Sequence, residues 1–242
     1  MQQKKSISIE GFNKSRFEYF KNNDSNEEVK KPHVARIKRI YKIFDKIIKN
    51  KNRPKVLDIG CADGLISSYF ILNEAKVFGL DTSRHNVCKA NSRGIKAIIG
   101  DASEPLPFPS ENFDIVLMGE LIEHMFDPDF LLKEAHRVLV DGGTLILTFP
   151  NLSSLANRLR IIFGYDLMHF DVSLKKRHGG HIRCFNSYNI KIMLNDNSFS
   201  VRNIYGSSVS LNPFKRTNSN LGLILGRIFP SFGDLLIVEA KK

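Results

Sequence analysis

Tryptophan is absent from the chain, and cysteine is scarce: only Cys61, Cys88 and Cys184 occur in 242 residues. Their number is odd, their spacing is wide and no C-x-x-C pair occurs. That argues against a disulfide framework and against a cysteine zinc site, and a reducing, cytoplasmic setting is the expectation. Long apolar runs are missing too. No stretch approaches the roughly 18–20 uncharged residues a bilayer-crossing helix needs. The opening MQQKKSISIEGFNKS is charged and lacks the apolar segment of a secretory signal. No internal repeat or low-complexity tract is visible. The chain does have 42% hydrophobic and 25% charged residues, enough for one sizeable core and too much for a disordered tail.

Charge of one sign is unevenly placed. The formal net charge of +11 divides into +10 over residues 1–55, −7 over 56–150 and +8 over 151–242. Such a bias concerns partners, not fold. The basic ends suit an anionic substrate, a nucleic acid or a membrane surface, or are simply a solvated Lys-rich exterior. After Pro32, apolar residues at Val34, Ile37, Ile40, Tyr41, Phe44, Ile47 and Ile48 mark one face of a basic amphipathic helix. That helix either packs on its own domain or lies on a membrane or an acidic partner. Residues 1–53 are read as an N-terminal segment on the lid or substrate side, and 54–242 as the main domain with an insertion at about 151–185.

From residue 55, short apolar strands alternate with helical patterns. Strands are expected at Lys55–Ile59, Ala75–Leu80, Ala97–Ile99, Phe113–Met118, Thr144–Phe149, Val201–Tyr205 and Leu235–Ala240. Helices are expected from Leu65, over Val87–Arg93, near Leu121, over Pro128–Val140 and over Tyr188–Asp196, with a turn at Asp141-Gly-Gly. Asp127 followed by Pro128 is a helix-start signal. This rhythm predicts an α/β, doubly wound, mostly parallel sheet covered on both faces.

Three consecutive strand ends carry groups suited to a nucleotide. VLDIGCADG, residues 56–64, puts Gly60 and Gly64 in the turn after the first strand, where glycine allows a sharp turn and close backbone approach to a ligand. Asp81 ends the second strand about 20 residues later, where a carboxylate can accept from ribose hydroxyls. Asp101 and Ala102 follow the third strand, placed to meet an adenine edge. The alternative for both aspartates is helix capping. A further cluster, Glu120, Glu123 and His124, has i, i+3, i+4 spacing, which on a helix shares one face. His178 and His181 follow in RHGGHIRCFN. Carboxylates with imidazole suit Mg²⁺ or Mn²⁺ with open positions. Equally, His124 or His181 suits a general base, and the set also fits a purely structural role. Phe163, Tyr165, Met168, His169 and Phe170 form either a pocket wall or a small satellite core. LGLILGRIFPSFG (221–233) either packs on the sheet or touches a lipid-linked acceptor.

VLDIGCADG, GLDTS, GDASEPLPFPSENFDIVLMGELIEH and the strand after Asp141-Gly-Gly together resemble the class I S-adenosylmethionine-dependent methyltransferases, over roughly residues 54–150. The resemblance implies a Rossmann-like seven-stranded sheet with an antiparallel last strand, here Leu235–Ala240. It implies S-adenosyl-L-methionine as cofactor, held by Asp58, Gly60, Cys61, Ala62 and Gly64 at its amino-acid end. Asp81 and Thr82 would lie at the ribose, Asp101 and Ala102 at the adenine, and Glu120 near the methyl group. Ala62 departs from the commonest pattern, which has glycine there. GELIEHMFDP and HIRCFN are similar to segments of ubiquinone-biosynthesis O-methyltransferases and their glycan- and lipid-cluster relatives. They are also similar to segments of metal-dependent small-RNA 2′-O-methyltransferases. The expected catalytic residues are His124 and His181, with Glu120, Glu123, His124 and His181 as a possible metal set. The expected acceptor is a small-molecule or lipid/sugar-linked hydroxyl, with an anionic acceptor among the alternatives. Competing readings are an NAD oxidoreductase, which predicts a fuller G-x-G-x-x-G, and a non-catalytic methyltransferase-like subunit.

Overall fold

The computed structural model describes residues 30–49, 51–168, 181–212 and 219–242. The expectations placed on the first 29 residues and on His169, Phe170 and His178 lie outside them. Helix α1 (Lys30–Ile48) precedes β1 (Lys55–Ile59), α2 (Ser68–Leu72), β2 (Lys76–Asp81), α3 (Arg84–Ser92), β3 (Lys96–Ile99) and β4 (Phe113–Gly119). A 3₁₀ turn, Ile122–His124, leads to α4 (Pro128–Val138), β5 (Leu139–Pro150), α5 (Leu155–Ile162), α6 (Ser187–Asp196), β6 (Ser200–Gly206), α7 (Asn220–Ile228) and β7 (Leu235–Lys241).

Seven strands form one sheet in the order β3-β2-β1-β4-β5-β7-β6. The first five are parallel to their neighbours, and β7 runs antiparallel to both β5 and β6. The expected mixed sheet and its antiparallel last strand are therefore present. Alternate residues of each central strand face opposite layers, as the twofold strand period requires. Ile115, Ile146 and Ile237 meet α1 through Ile37, Ile40, Tyr41 and Phe44. Val116, Leu145, Leu147 and Val238 meet the other layer, which includes Leu131, Leu132 and Ala135 of α4 and Ile190 and Leu194 of α6. The amphipathic helix thus packs on its own domain. Its aromatic residues lock onto α2: Tyr41 stacks on Tyr69 with centroids 3.9 Å apart, and Phe44 lies 4.3 Å from Phe70.

Local details differ from the sequence expectations. The helix from Leu65 begins at Ser68, after a turn closed by Ser68 N donating to Gly64 O. Helix α4, capped by the Asp127 carboxylate on Phe130 N, stops at Val138 instead of Val140. Leu139 has already turned extended and pairs with Phe113. Asp141-Gly142-Gly143 is not a turn outside the strand but a bulge within β5, since Phe113 opposes Leu139 while Ile115 opposes Thr144. The expected helix near Leu121 is a single 3₁₀ turn. The insertion contains α5 in its described part, and residues 221–233 form most of α7 and a 3₁₀ turn, Pro230–Phe232.

Candidate active site

The carboxyl ends of β1, β2, β3, β4 and β5 share one edge of the sheet, where ligands bind in folds of this kind. After β1 the chain takes left-handed conformations at Gly60 (φ 73°), Ala62 (φ 47°) and Gly64 (φ 73°). Gly60 N and Cys61 N both donate to Leu80 O, at 2.8 and 3.1 Å, which binds the turn to the end of β2. A Cβ at Gly64 would stand 2.3 Å from Ile95 Cδ1 and 3.1 Å from Ala90 Cα. Glycine is therefore needed there for packing against α3. The Cys61 thiol is buried beside Gly79, and burial together with the Asp58 and Asp81 carboxylates pushes its pKa up.

Asp81 joins two turns. Its Oδ2 accepts from Ala62 N (2.9 Å), and its Oδ1 from Ser83 N (2.9 Å) and Asn86 Nδ2 (3.3 Å). A carboxylate has about four acceptor sites, so one remains for an added hydroxyl. Thr82 beside it is exposed, and Ser83 caps α3. At the third strand end, Asp101 is exposed with Oδ1 accepting from Ser103 N at 2.8 Å, and Ala102 is buried. Neither aspartate is a helix cap: Ser83 caps α3, and no helix lies between β3 and β4.

Asp58 is buried and accepts from Ser67 Oγ; burial raises its pKa to about 7. Asp58 lies in β1 just before the glycine turn, Asp81 ends β2 and Glu120 follows β4, so the three carboxyl groups belong to the same edge of the sheet. The residues fit S-adenosyl-L-methionine: left-handed turn positions at Gly60 and Ala62, and a remaining acceptor site on Asp81.

Glu120 departs from the expected helical face. It sits at φ 57° directly after β4, with its N donating to Thr148 O at 2.9 Å. Its Oε1 accepts from Thr148 Oγ1 (3.2 Å) and lies 3.3 Å from Arg36 Nη1. Arg36 Nη1 also donates to Thr148 Oγ1 at 3.1 Å. Arg36 and Thr148 were missed by sequence reasoning. The available signal was the position of Arg36 four residues before Ile40, within the apolar stripe of α1.

Glu123, His124 and His181 do converge, with one ligand atom from each lying within 4.8 Å of the others. Glu120 is not in that group, because Arg36 holds it. Glu123 is 1% exposed, and neither of its carboxylate oxygens has a hydrogen-bond partner. Burial first, and the nearby Glu120 second, raise its pKa to about 9. His181 Nε2 lies 3.9 Å from Glu123 Oε1, and its ring meets that of His124 edge-on with centroids 4.7 Å apart. The Glu123 carbonyl accepts from Ile182 N (3.0 Å) and Arg183 N (3.1 Å). These two bonds bring the distant His181 segment to the end of β4. An orphaned buried carboxylate beside two imidazoles is a donor set that fits a divalent cation.

Of the expected pocket wall, Phe163 and Tyr165 are exposed, and Met168 N donates to Asn157 Oδ1 at 2.9 Å.

Residues 57–147 match the methyltransferase domain family. The chain is 31% identical over 156 residues to a ubiquinone biosynthesis O-methyltransferase of Pelagibacter ubique, covering 59% of this chain and 64% of that protein. It is 27% identical over 169 residues to the mitochondrial ubiquinone biosynthesis O-methyltransferase of Homo sapiens, covering 66% of this chain and 44% of that one. The chain thus spans less than two thirds of the length of these relatives. Among solved structures, the magnesium protoporphyrin IX methyltransferase of Synechocystis PCC 6803 with bound SAH superposes with a TM-score of 0.63 at 19% identity, over 99% of this chain and 97% of that one. At that identity the likeness concerns the fold. Residues 57–147 are thus similar in sequence to a methyltransferase domain, and the strand order is that of solved S-adenosylmethionine-dependent methyltransferase structures.

Proposed function

We propose that the chain transfers a methyl group from S-adenosyl-L-methionine to a hydroxyl of a small-molecule or lipid/sugar-linked acceptor. The observation that carries this reading is the meeting of His124 and His181 with the buried Glu123 at the end of β4, beside the acidic glycine turn. When bound, the cofactor supplies an electrophilic methyl: the acceptor oxygen forms the C–O bond as the C–S bond breaks and leaves its electron pair on sulfur. The acceptor hydroxyl must lose its proton in that step, and an imidazole side chain can accept it. Asp58, Asp81 and Glu120 favour the cationic donor over its neutral product, and Arg36 holds Glu120 in place. Positioning supplies much of the remaining acceleration. Glu123, His124 and His181 would hold Mg²⁺ or Mn²⁺, which would lower the pKa of a bound hydroxyl. Because Glu123 must lose its proton first, metal affinity rises with pH. The names of the ubiquinone-biosynthesis relatives support oxygen as the methylated atom.

The test is methyl transfer to a panel of glycan, quinol, lipid-linked and RNA hydroxyls, with and without Mn²⁺, alongside S-adenosylhomocysteine binding by calorimetry. H124A and H181A are expected to lower kcat by roughly 100-fold or more while leaving S-adenosylhomocysteine affinity unchanged. Loss of cofactor affinity with kcat intact would make these histidines structural. Protection by NAD but not by S-adenosylhomocysteine would sink the reading. Cofactor binding with no acceptor methylated would instead favour a binding subunit.

A further inference from the structure

A cavity of about 310 Å³ lies between α1 and α7, beside the end of β6. Lys38, Arg39 and Lys42 line it from α1 and Arg227 from α7, and its described lining holds no carboxylate. None of these four cations forms an ion pair among the described residues. The nearby carboxylate, Glu239, is already engaged: it accepts from Asn203 Nδ2 (2.9 Å) and Tyr205 OH (3.2 Å) and lies 3.9 Å from Lys46 Nζ.

The walls are built, not loose. The Arg39 guanidinium lies 4.3 Å over the Tyr205 ring. Helix α7 rests on backbone: a Cβ at Gly222 would stand 2.4 Å from Val209 O, and one at Gly226 2.6 Å from Ser207 O. Ser219 Oγ accepts from Gly222 N at 2.9 Å, closing the first turn of α7 at the cavity mouth. Four cations drawn around one hollow repel one another, and an anion relieves that repulsion.

The cavity also has a defined place relative to methyl transfer. Gly119, Thr148, Ile237 and Tyr205 lie opposite one another across β4, β5, β7 and β6. Three strand spacings amount to about 14 Å. Arg36 and Arg39, one turn apart on α1, stand at the two ends of this line, one on Glu120 and Thr148, the other on Tyr205.

We propose that this cavity binds a phosphate or diphosphate group of the acceptor, whose hydroxyl then extends about 14 Å to the methyl-transfer edge. The acceptor part of the inference rests on the methyltransferase reading; the anion site does not. The phosphate belongs either to a water-soluble acceptor or to a lipid headgroup. Leu221, Ile224 and Ile228 on α7 are exposed beside the cavity, which makes a lipid arm informative.

The experiment uses the full chain. Calorimetry with inorganic diphosphate is expected to show binding that weakens by at least roughly ten-fold in K38A/K42A/R227A, from loss of charge-assisted contacts. The affinity for S-adenosylhomocysteine should stay within about two-fold, because those side chains lie away from the glycine turn. K38R/K42R should retain diphosphate binding. Absence of diphosphate binding, or equal binding by the triple variant, overturns the proposal. Sedimentation with phosphatidylcholine vesicles, with and without phosphatidylglycerol, separates the sources. Co-sedimentation that needs the anionic lipid and is lost in the triple variant assigns a headgroup; diphosphate binding without co-sedimentation assigns a soluble acceptor. If the methyltransferase reading fails instead, wild-type protein binds diphosphate but not S-adenosylhomocysteine.

Discussion

Asp81 accepts three hydrogen bonds that tie the turn after β1 to the start of α3, and the acceptor position left over is the one the proposed function assigns to a ribose hydroxyl. D81A should weaken S-adenosylhomocysteine binding by at least about 1 kcal/mol, or roughly five-fold. Calorimetry checks this, and unchanged affinity would remove Asp81 from the ribose site. This residue was legible because strand, turn and carboxylate are local in sequence. Arg36 was not. It lies 112 positions from Thr148, the hydroxyl it binds, and an arginine on a lysine-rich helix reads as solvated until the helix is docked. Glu120 was misread for a related reason. The helical spacing with Glu123 and His124 is real in sequence, but a left-handed residue after β4 turns Glu120 towards Arg36 instead.

Helices α1 and α7 show how elements outside the nucleotide-binding core shape the site. Periodicity identified α1, and its apolar stripe is the buried one. The docking of α7 depends on two glycines four residues apart, which allow its backbone to touch the chain after β6. Nothing local in LGLILGRIF signals that partner. G226V should therefore overpack this contact and cost about 1–3 kcal/mol of stability, read as a lowered Tm. Diphosphate binding should fall with it while S-adenosylhomocysteine binding persists. An unchanged Tm would mean that α7 is not seated on residues 207–209.

Across the molecule, buried carboxylates make stability depend on pH. Asp58 and Glu123 both have pKa values raised on folding, to about 7 and about 9. The folded state therefore keeps protons that the unfolded chain has released. Their stabilising contribution is full below about pH 4 and is lost as pH rises through 7 and then 9. Cofactor-free, metal-free protein should lose Tm between pH 6 and pH 9 relative to D58N/E123Q at each pH. Taking that difference removes the opposing effect of the +11 net charge, whose self-repulsion grows on the acid side. Parallel slopes for the two proteins would show that these carboxyls titrate normally.

Strands, the glycine turn, Asp81 and Asp101 follow from the order of residues, because each depends on neighbours within a few positions and on a simple burial period. The strand order, the meeting of His181 with Glu123 and the cationic cavity do not. They join segments tens to more than a hundred residues apart, and their charges acquire partners, raised pKa values or mutual repulsion only when the sheet brings them together and excludes water. Local pattern carries the first kind of information in propensity and spacing; the second kind exists only as distance and desolvation.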